Sequence, residues 1–164
     1  SRTVLVTPLV VEEQVIHCLV LHYATQHQFH LSIVYGINSA IRRQLLWQSL
    51  LCFHNQAKNW LVAGDFNIVR SESERLSRNT ANLTDIDDFN TCLQQVDLND
   101  ISSIGSKYTW TNNQMGDHRV WTKIDRAMAT TNWMVAFPTA YANFLNNGVS
   151  DHTPIVYHYE RYSS

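Results

Sequence analysis

Four strand-like apolar runs of this 164-residue chain end on polar residues of the same kind, and that shared punctuation constrains the fold more than any other feature. The stretches are Tyr35-Gly36-Ile37-Asn38, Gly64-Asp65-Phe66-Asn67, Ile124-Asp125-Arg126 and Ser150-Asp151-His152. Successive side chains of a strand point to opposite faces, so Asp65 and Asn67 leave the sheet edge together while Phe66 turns away. If these strand ends converge on one side of a sheet sandwich, their Asp, Asn, Tyr and His side chains share one pocket.

The remaining pattern fills in a mixed, strand-rich chain. QVIHCLVLH (14–22) and FHLSIVY (29–35), separated by the polar stretch ATQHQ, predict an antiparallel hairpin. Asn38-Ser39 caps a helix whose inner side is expected to carry Ile41, Leu45, Leu46, Leu50 and Phe53. WLVAG (60–64) returns to strand, and residues 70–83 read as a surface loop in which Arg70, Arg75 and Arg78 interleave with Glu72 and Glu74. Thr84 and the acidic turn that follows open a second helix, with Ile86, Phe89, Leu93 and Val96 inward. KYTWTN (107–112) and HRVWTKIDRAMA (118–129) predict two strands, TNWMVAF a short helix stopped by Pro138, and AYANFL and TPIVYHY two last strands. This is an α+β pattern and not a regular βαβ alternation. With 45% apolar residues, the chain is expected to form a single domain over 1–164. Its five tryptophans are expected in the core.

Charge and cysteines narrow the function. A formal charge of −2 gives no global basic footprint, so any phosphate binding has to rest on a local patch or a metal. Cys18, Cys52 and Cys92 lie far apart among apolar residues, without zinc spacing, which reads as buried reduced thiols in an intracellular protein of the nucleus or cytoplasm. No apolar run is long enough to span a membrane, and SRTVLVTPLV lacks the basic flank of a secretory signal.

The inventory at the strand ends suits phosphodiester hydrolysis. A hard, oxygen-bound cation such as Mg²⁺ neutralises developing charge on the phosphate while a base takes a proton from the attacking water. Asp125 and His152 can pair so that the carboxylate fixes the imidazole tautomer and raises its basicity. Asp65 would then orient the water, Asn67 donate to a phosphate oxygen, and Asp151 hold the metal or its waters.

Taken in order, YGIN, GDFN, an Ile-Asp followed by Arg, and SDH closely resemble the endonuclease/exonuclease/phosphatase superfamily, the deoxyribonuclease I-like fold. IHC (16–18), VYG (34–36), RRQLLW (42–47), YTWTN (108–112), KIDRAMA (123–129) and SDHTPI (150–155) look like plant members related to the endonuclease domain of LINE-type retrotransposons. The resemblance implies a two-sheet α/β sandwich flanked by helices and Mg²⁺- or Mn²⁺-dependent cleavage of phosphodiester bonds. It matches Asp65 and Asn67 to the family's GDxN pair, Asp125 to the aspartate that orients the histidine, and Asp151 and His152 to the metal-side aspartate and catalytic histidine. Tyr35 and Asn38 fall where relatives contact phosphate. The family's opening strands, with an Asn and a metal-ligating Glu, have no counterpart here, so the sandwich is expected to miss its N-terminal strands. That predicts weak metal binding, weak or absent activity, and a homodimer or segment-exchanged dimer covering the exposed sheet edge. A non-catalytic nucleic-acid- or protein-binding descendant of such a domain is the alternative.

Overall fold

In the computed structural model, which describes residues 3–146 and 148–159, the leading segment Val4–Val11 forms β1 and pairs antiparallel with β2, Val15–His22. The expected hairpin joins β2 to β3, His27–Tyr35. Helix α1, Ala40–His54, then carries the chain back so that β4, Trp60–Asp65, lies parallel to β3. There follow β5 (Arg75–Leu76), α2 (Leu83–Gln95), β6 (Asn99–Asp100), β7 (Ser103–Gly105), β8 (Trp110–Thr111) and β9 (Trp121–Thr122). The chain continues through β10 (Asp125–Ala129), α3 (Thr131–Ala136), β11 (Tyr141–Phe144) and β12 (Ile155–His158). A six-stranded sheet has the order β1-β2-β3-β4-β10-β6, a three-stranded sheet the order β12-β11-β7, and a ribbon of very short strands the order β5-β9-β8.

The large sheet separates two cores. On one face Leu46, Trp47, Leu50 and Phe53 of α1 and Phe89 and Leu93 of α2 pack on Val15, Val62 and Met128. On the other, Trp133, Phe137 and Phe144 pack on Val20, Phe29 and Leu61. This is the two-sheet sandwich flanked by helices. The small sheet does not reach across the whole face. Val11, Ile16 and Ile33, aligned on neighbouring strands, stay 69%, 36% and 49% exposed. Among the described residues no helix is long and apolar enough to cross a membrane.

Several expectations are corrected. The sequence reading starts its strands at residue 14, yet Val4–Val11 forms β1; the register shifts between Pro8 and Val10, which accommodates a residue with no N–H to donate. The inner side of α1 is rotated from the expected one: Ile41 and Leu45 are 85% and 58% exposed, while Arg43 and Ser49 are buried. The second helix is capped by Asn82, whose Oδ1 accepts from the N–H groups of Thr84 and Asp85. Cys18 and Cys92 are buried as expected, but Cys52 is exposed. Trp47, Trp60 and Trp133 lie in the core, whereas Trp110 and Trp121 are half-buried.

Ser49 turns inward because His17 waits for it. The Trp60 indole N–H donates to Ser32 Oγ (2.7 Å), which also lies 2.6 Å from His17 Nδ1. On the other side of the ring Nε2 lies 2.9 Å from Ser49 Oγ, so both ring nitrogens have a hydroxyl partner. The ring stacks on Phe53 at 4.0 Å. Burial pushes the His17 pKa down to about 4, so the ring is neutral at pH 7. Replacing Ser32 by Ala strands both the Trp60 N–H and His17 Nδ1 in the core; we expect a loss of about 1–3 kcal/mol, read as a lower urea midpoint with unchanged slope.

Candidate active site

Residues paired across neighbouring strands share a sheet face, and the pairing Tyr35↔Asp65↔Asp125 sets these three side by side on β3, β4 and β10, toward the small sheet. The β3–β4 contact is close because position 64 is glycine. Its φ is +131°, and a Cβ there would meet the Val34 carbonyl oxygen at 2.1 Å. His152 arrives from the segment between β11 and β12, whose backbone bridges to Trp110. Its Nδ1 lies 3.0 and 3.2 Å from the two Asp125 oxygens, and its Nε2 lies 4.0 Å from Asp65 Oδ2. With Asp125 ionised, Nδ1 carries the proton and Nε2 presents its lone pair to the Asp65 side.

Thr109 joins the two arms that carry this pair. Its buried hydroxyl accepts from the N–H groups of Ile124 and Asp125, both at 3.0 Å, and its carbonyl accepts from the Thr153 N–H at 2.7 Å. On the other side, Asn67 adopts a left-handed conformation (φ 54°), which lets its N–H donate to Asp65 Oδ1 (2.7 Å) while its amide nitrogen donates to the Gly36 carbonyl (3.2 Å). The loop after β3 is pinned twice more. Buried Gln14 accepts from the Ile37 N–H (2.9 Å), and buried Arg43 donates to the carbonyls of Ile37 and Asn38, both at 3.0 Å.

A cleft of about 580 Å³ opens over this arrangement, and Tyr35, Asn38, Asp65, Asn67 and His152 line it. Asp125 lies beneath, bonded to His152. Asp151 is exposed, and its Oδ2 accepts the Trp110 indole N–H (3.1 Å). The structure therefore brings Asp65, Asp125 and His152 together, with Asn67, Tyr35 and Asn38 around the rim, and sets Asp151 outside the cluster. Sequence reading missed Thr109 and Gln14, because their bonds run to backbone groups far away in the chain, and Arg43, because a charged side chain in a helix gives no sign that it turns back onto the loop before it. Only the YTWTN motif pointed to Thr109.

Asp65 is the strained member. It is 8% exposed and faces a second carboxylate across the strand pair. Burial first, and the Asp125 charge second, push its pKa up to about 6, against the Asn67 N–H, His152 and Arg43, which favour the ionised form. Asp65, Asp125 and His152 each offer a ligand atom within 4.8 Å of the others. Two desolvated carboxylates of like charge are hard oxygen donors in the environment a divalent cation relieves, so the residues fit such an ion.

The sequence profile described as the Endonuclease/Exonuclease/phosphatase family matches residues 5–152. No curated protein matches the sequence. Among solved structures, the fold is similar to the 3′ phosphatase NExo from Neisseria, bound to a product DNA hairpin, at 14% identity and a TM-score of 0.62, over 96% of this chain and 70% of that one. A conserved protein of Enterococcus faecalis, described as functionally unknown, is similar at 16% identity and a TM-score of 0.56, over 95% of this chain and 61% of that one. A mannosyl-6-phosphatase of Bacteroides thetaiotaomicron is similar at 15% identity and a TM-score of 0.50, over 89% of this chain and 56% of that one. At these identities the likeness is one of fold, and this chain spans about three fifths of the length of the last two.

Asp65 and His17 make stability depend on pH in opposite senses. The raised Asp65 pKa means that the folded protein binds this proton first as pH falls, so the penalty of the ionised carboxylate is full above about pH 6 and gone below the ordinary 3.8. The lowered His17 pKa means that the unfolded chain binds its proton first, so stability is lost as pH falls from 6.5 to about 4. In EDTA, Asp65→Asn should be more stable than the unsubstituted protein by up to about 3 kcal/mol at pH 7.5, a difference that shrinks to nothing near pH 4. Urea denaturation of both proteins across that range measures it; a pH-independent difference would contradict the raised Asp65 pKa.

Proposed function

This chain belongs to the endonuclease/exonuclease/phosphatase family, and we propose that its cleft hydrolyses phosphodiester bonds of nucleic acid with the help of a divalent cation, Mg²⁺ or Mn²⁺. The observation that carries the reading is the orientation of His152: Asp125 holds Nδ1, and Nε2 faces the cleft beside Asp65. In this reading His152 Nε2 takes a proton from the attacking water and Asp125 stabilises the imidazolium that forms. Asp65 orients the water. The free amide N–H of Asn67 donates to a non-bridging phosphate oxygen, and Tyr35 and Asn38 hold the phosphate from the rim of the cleft. Asp65 would hold the cation, with Asp151 directed at its hydration waters; when bound, the ion supplies neutralising charge at the phosphoryl oxygens. A polynucleotide is favoured over other phosphoesters by the motif likeness to LINE-type retrotransposon endonuclease domains and by the DNA product carried by the Neisseria relative.

Within the cluster Asp125 is committed to His152, so one carboxylate is left for the ion. Loose cation binding and slow hydrolysis are the consequence. The same observation favours a second reading, in which the cleft binds nucleic acid without cutting it. Plasmid nicking in Mg²⁺ and in Mn²⁺ separates the two. We expect slow nicking, reduced at least about 100-fold in His152→Ala and strongly in Asp65→Asn. Equal inertness of all three proteins would leave the binding reading alone.

The uncovered row of Val11, Ile16 and Ile33, next to the free edge of β1, is the face assigned to a second copy of the chain, docked sheet on sheet or by exchange of an N-terminal segment. Ile33→Glu, on that face and outside the lining of the cleft, should shift a concentration-dependent dimer toward monomer in sedimentation. A monomer for the unsubstituted protein at the highest attainable concentration would contradict the assignment.

A further inference from the structure

Two arginines line the cleft, and the structure uses them differently. Arg43 is spent on the protein. Its side chain is 4% exposed, one terminal nitrogen serves the Ile37 and Asn38 carbonyls, and the other lies 3.8 Å from Asp85. Arg75, on the opposite wall, gives only its Nε to the Asn79 carbonyl (3.3 Å), and no carboxylate among the described residues pairs with it. The pairing Arg75↔Thr122↔Trp110 sets these three in a row on one face of the β5-β9-β8 ribbon, and all three line the cleft. A guanidinium with both terminal nitrogens unspent, in the lining of a cleft that also holds a phosphodiesterase-like site, is placed to meet an anion.

What holds Arg75 there comes from beneath. Arg126 follows Asp125 on β10, so its side chain takes the opposite face of the sheet, where it is fully buried. Its guanidinium donates to both oxygens of Asp100, at 3.1 Å each, and to Glu74. Glu74 also accepts the Arg70 N–H (2.7 Å), and its carbonyl accepts the Lys123 N–H (2.9 Å). Arg70 in turn reaches Asp100 at 2.8 Å and Asn90 at 3.0 Å. The strap of residues 70–76 is thereby fastened to the core one residue before Arg75.

We propose that Arg75 binds a phosphate of the substrate neighbouring the one presented to His152, and that the buried Arg126–Glu74 pair is the positioning device that holds it over the cleft. The substrate class rests on the phosphodiesterase reading; the binding itself needs neither cation nor cleavage. A polynucleotide supplies the second phosphate, whereas a phosphate monoester does not.

The test is fluorescence anisotropy of a labelled single-stranded oligodeoxynucleotide in EDTA, titrated at several salt concentrations. Arg75→Gln should bind about 10-fold more weakly, and the slope of log affinity against log salt should fall by about 0.7, the loss of one phosphate contact on a single strand. Arg75→Lys should keep the slope, because a point charge suffices for it. Glu74→Gln should weaken binding about 3-fold and speed amide exchange in residues 70–76; Arg126→Lys, which keeps the charge but not the fork, should do the same and serves if Glu74→Gln does not fold. No binding by the unsubstituted protein, or an Arg75→Gln protein with unchanged affinity and slope, overturns the assignment. Unchanged binding in both strap variants overturns the positioning role. Binding without nicking in Mg²⁺ or Mn²⁺ sinks the hydrolytic reading and leaves this one standing.

Discussion

The site depends on a contact that a sheet would ordinarily avoid. Asp65 and Asp125 stand directly opposite each other on neighbouring strands, 8% and 7% exposed. Like charges in that relation repel, and burial removes the water that would screen them. Each carboxylate is given one hydrogen-bonding partner, the Asn67 N–H for Asp65 and the His152 ring for Asp125. Those partners are also the groups that the proposed chemistry uses. Burial, and with it the repulsion left over, falls on Asp65, whose proton affinity rises, and a cation in the cleft would relieve both. Local instability of this kind is common where a fold hosts a site, and the rest of the sheet has to hold the two strands in place.

That holding is done mostly by neutral hydrogen bonds. Thr109 binds the backbone at Asp125 with its hydroxyl and the segment after His152 with its carbonyl, so the Asp125–His152 distance is fixed by one residue that touches neither side chain. On the neighbouring strands and the opposite face of the sheet, His17 links β2, β3 and α1 through Ser32 and Ser49. A neutral imidazole there joins the sheet to the helix without burying a charge. The core on the helix side of the sheet is thus polar at a few hydrogen-bonded points and otherwise aromatic: Trp47, Phe66 and Phe89 stack or tilt against one another beneath β4.

The parts legible in the sequence are those written in local patterns. The hairpin, the second helix, the terminal strands and the meeting of Asp65, Asp125 and His152 could be read because alternation and the order of short motifs carry them. Where specific partners decide the structure, local pattern failed. Periodicity turned Ile41 and Leu45 of α1 inward because they are apolar, but the buried face belongs to Arg43 and Ser49, each drawn in by an acceptor or donor on another element. No strand is expected before residue 14, yet β1 forms there, and a register shift absorbs its proline. Arg75 and Glu74 read as a solvated, charge-balanced loop; the balance is real, but Glu74 spends its charge on a core arginine that no spacing rule connects to it.

That core arginine shows how one strand serves two environments. Alternation along β10 sends Asp125 to the face beneath the cleft and Arg126 into the core on the other face, so a residue pair of opposite charge is split by the sheet. Burying Arg126 costs solvation that Asp100 and Glu74 offset, with the Phe89 ring 6.0 Å from the guanidinium carbon. Its Nε has no hydrogen-bond partner, so the compensation is incomplete. Apolar residues of similar volume would stabilise such a core about as well. They could not, however, specify where the strap of residues 70–76 lies, because apolar contacts have no direction, whereas a guanidinium fork donates to its carboxylates only along its own plane. The buried charge is therefore better explained by the placement of the cleft's far wall than by the stability of the sheet.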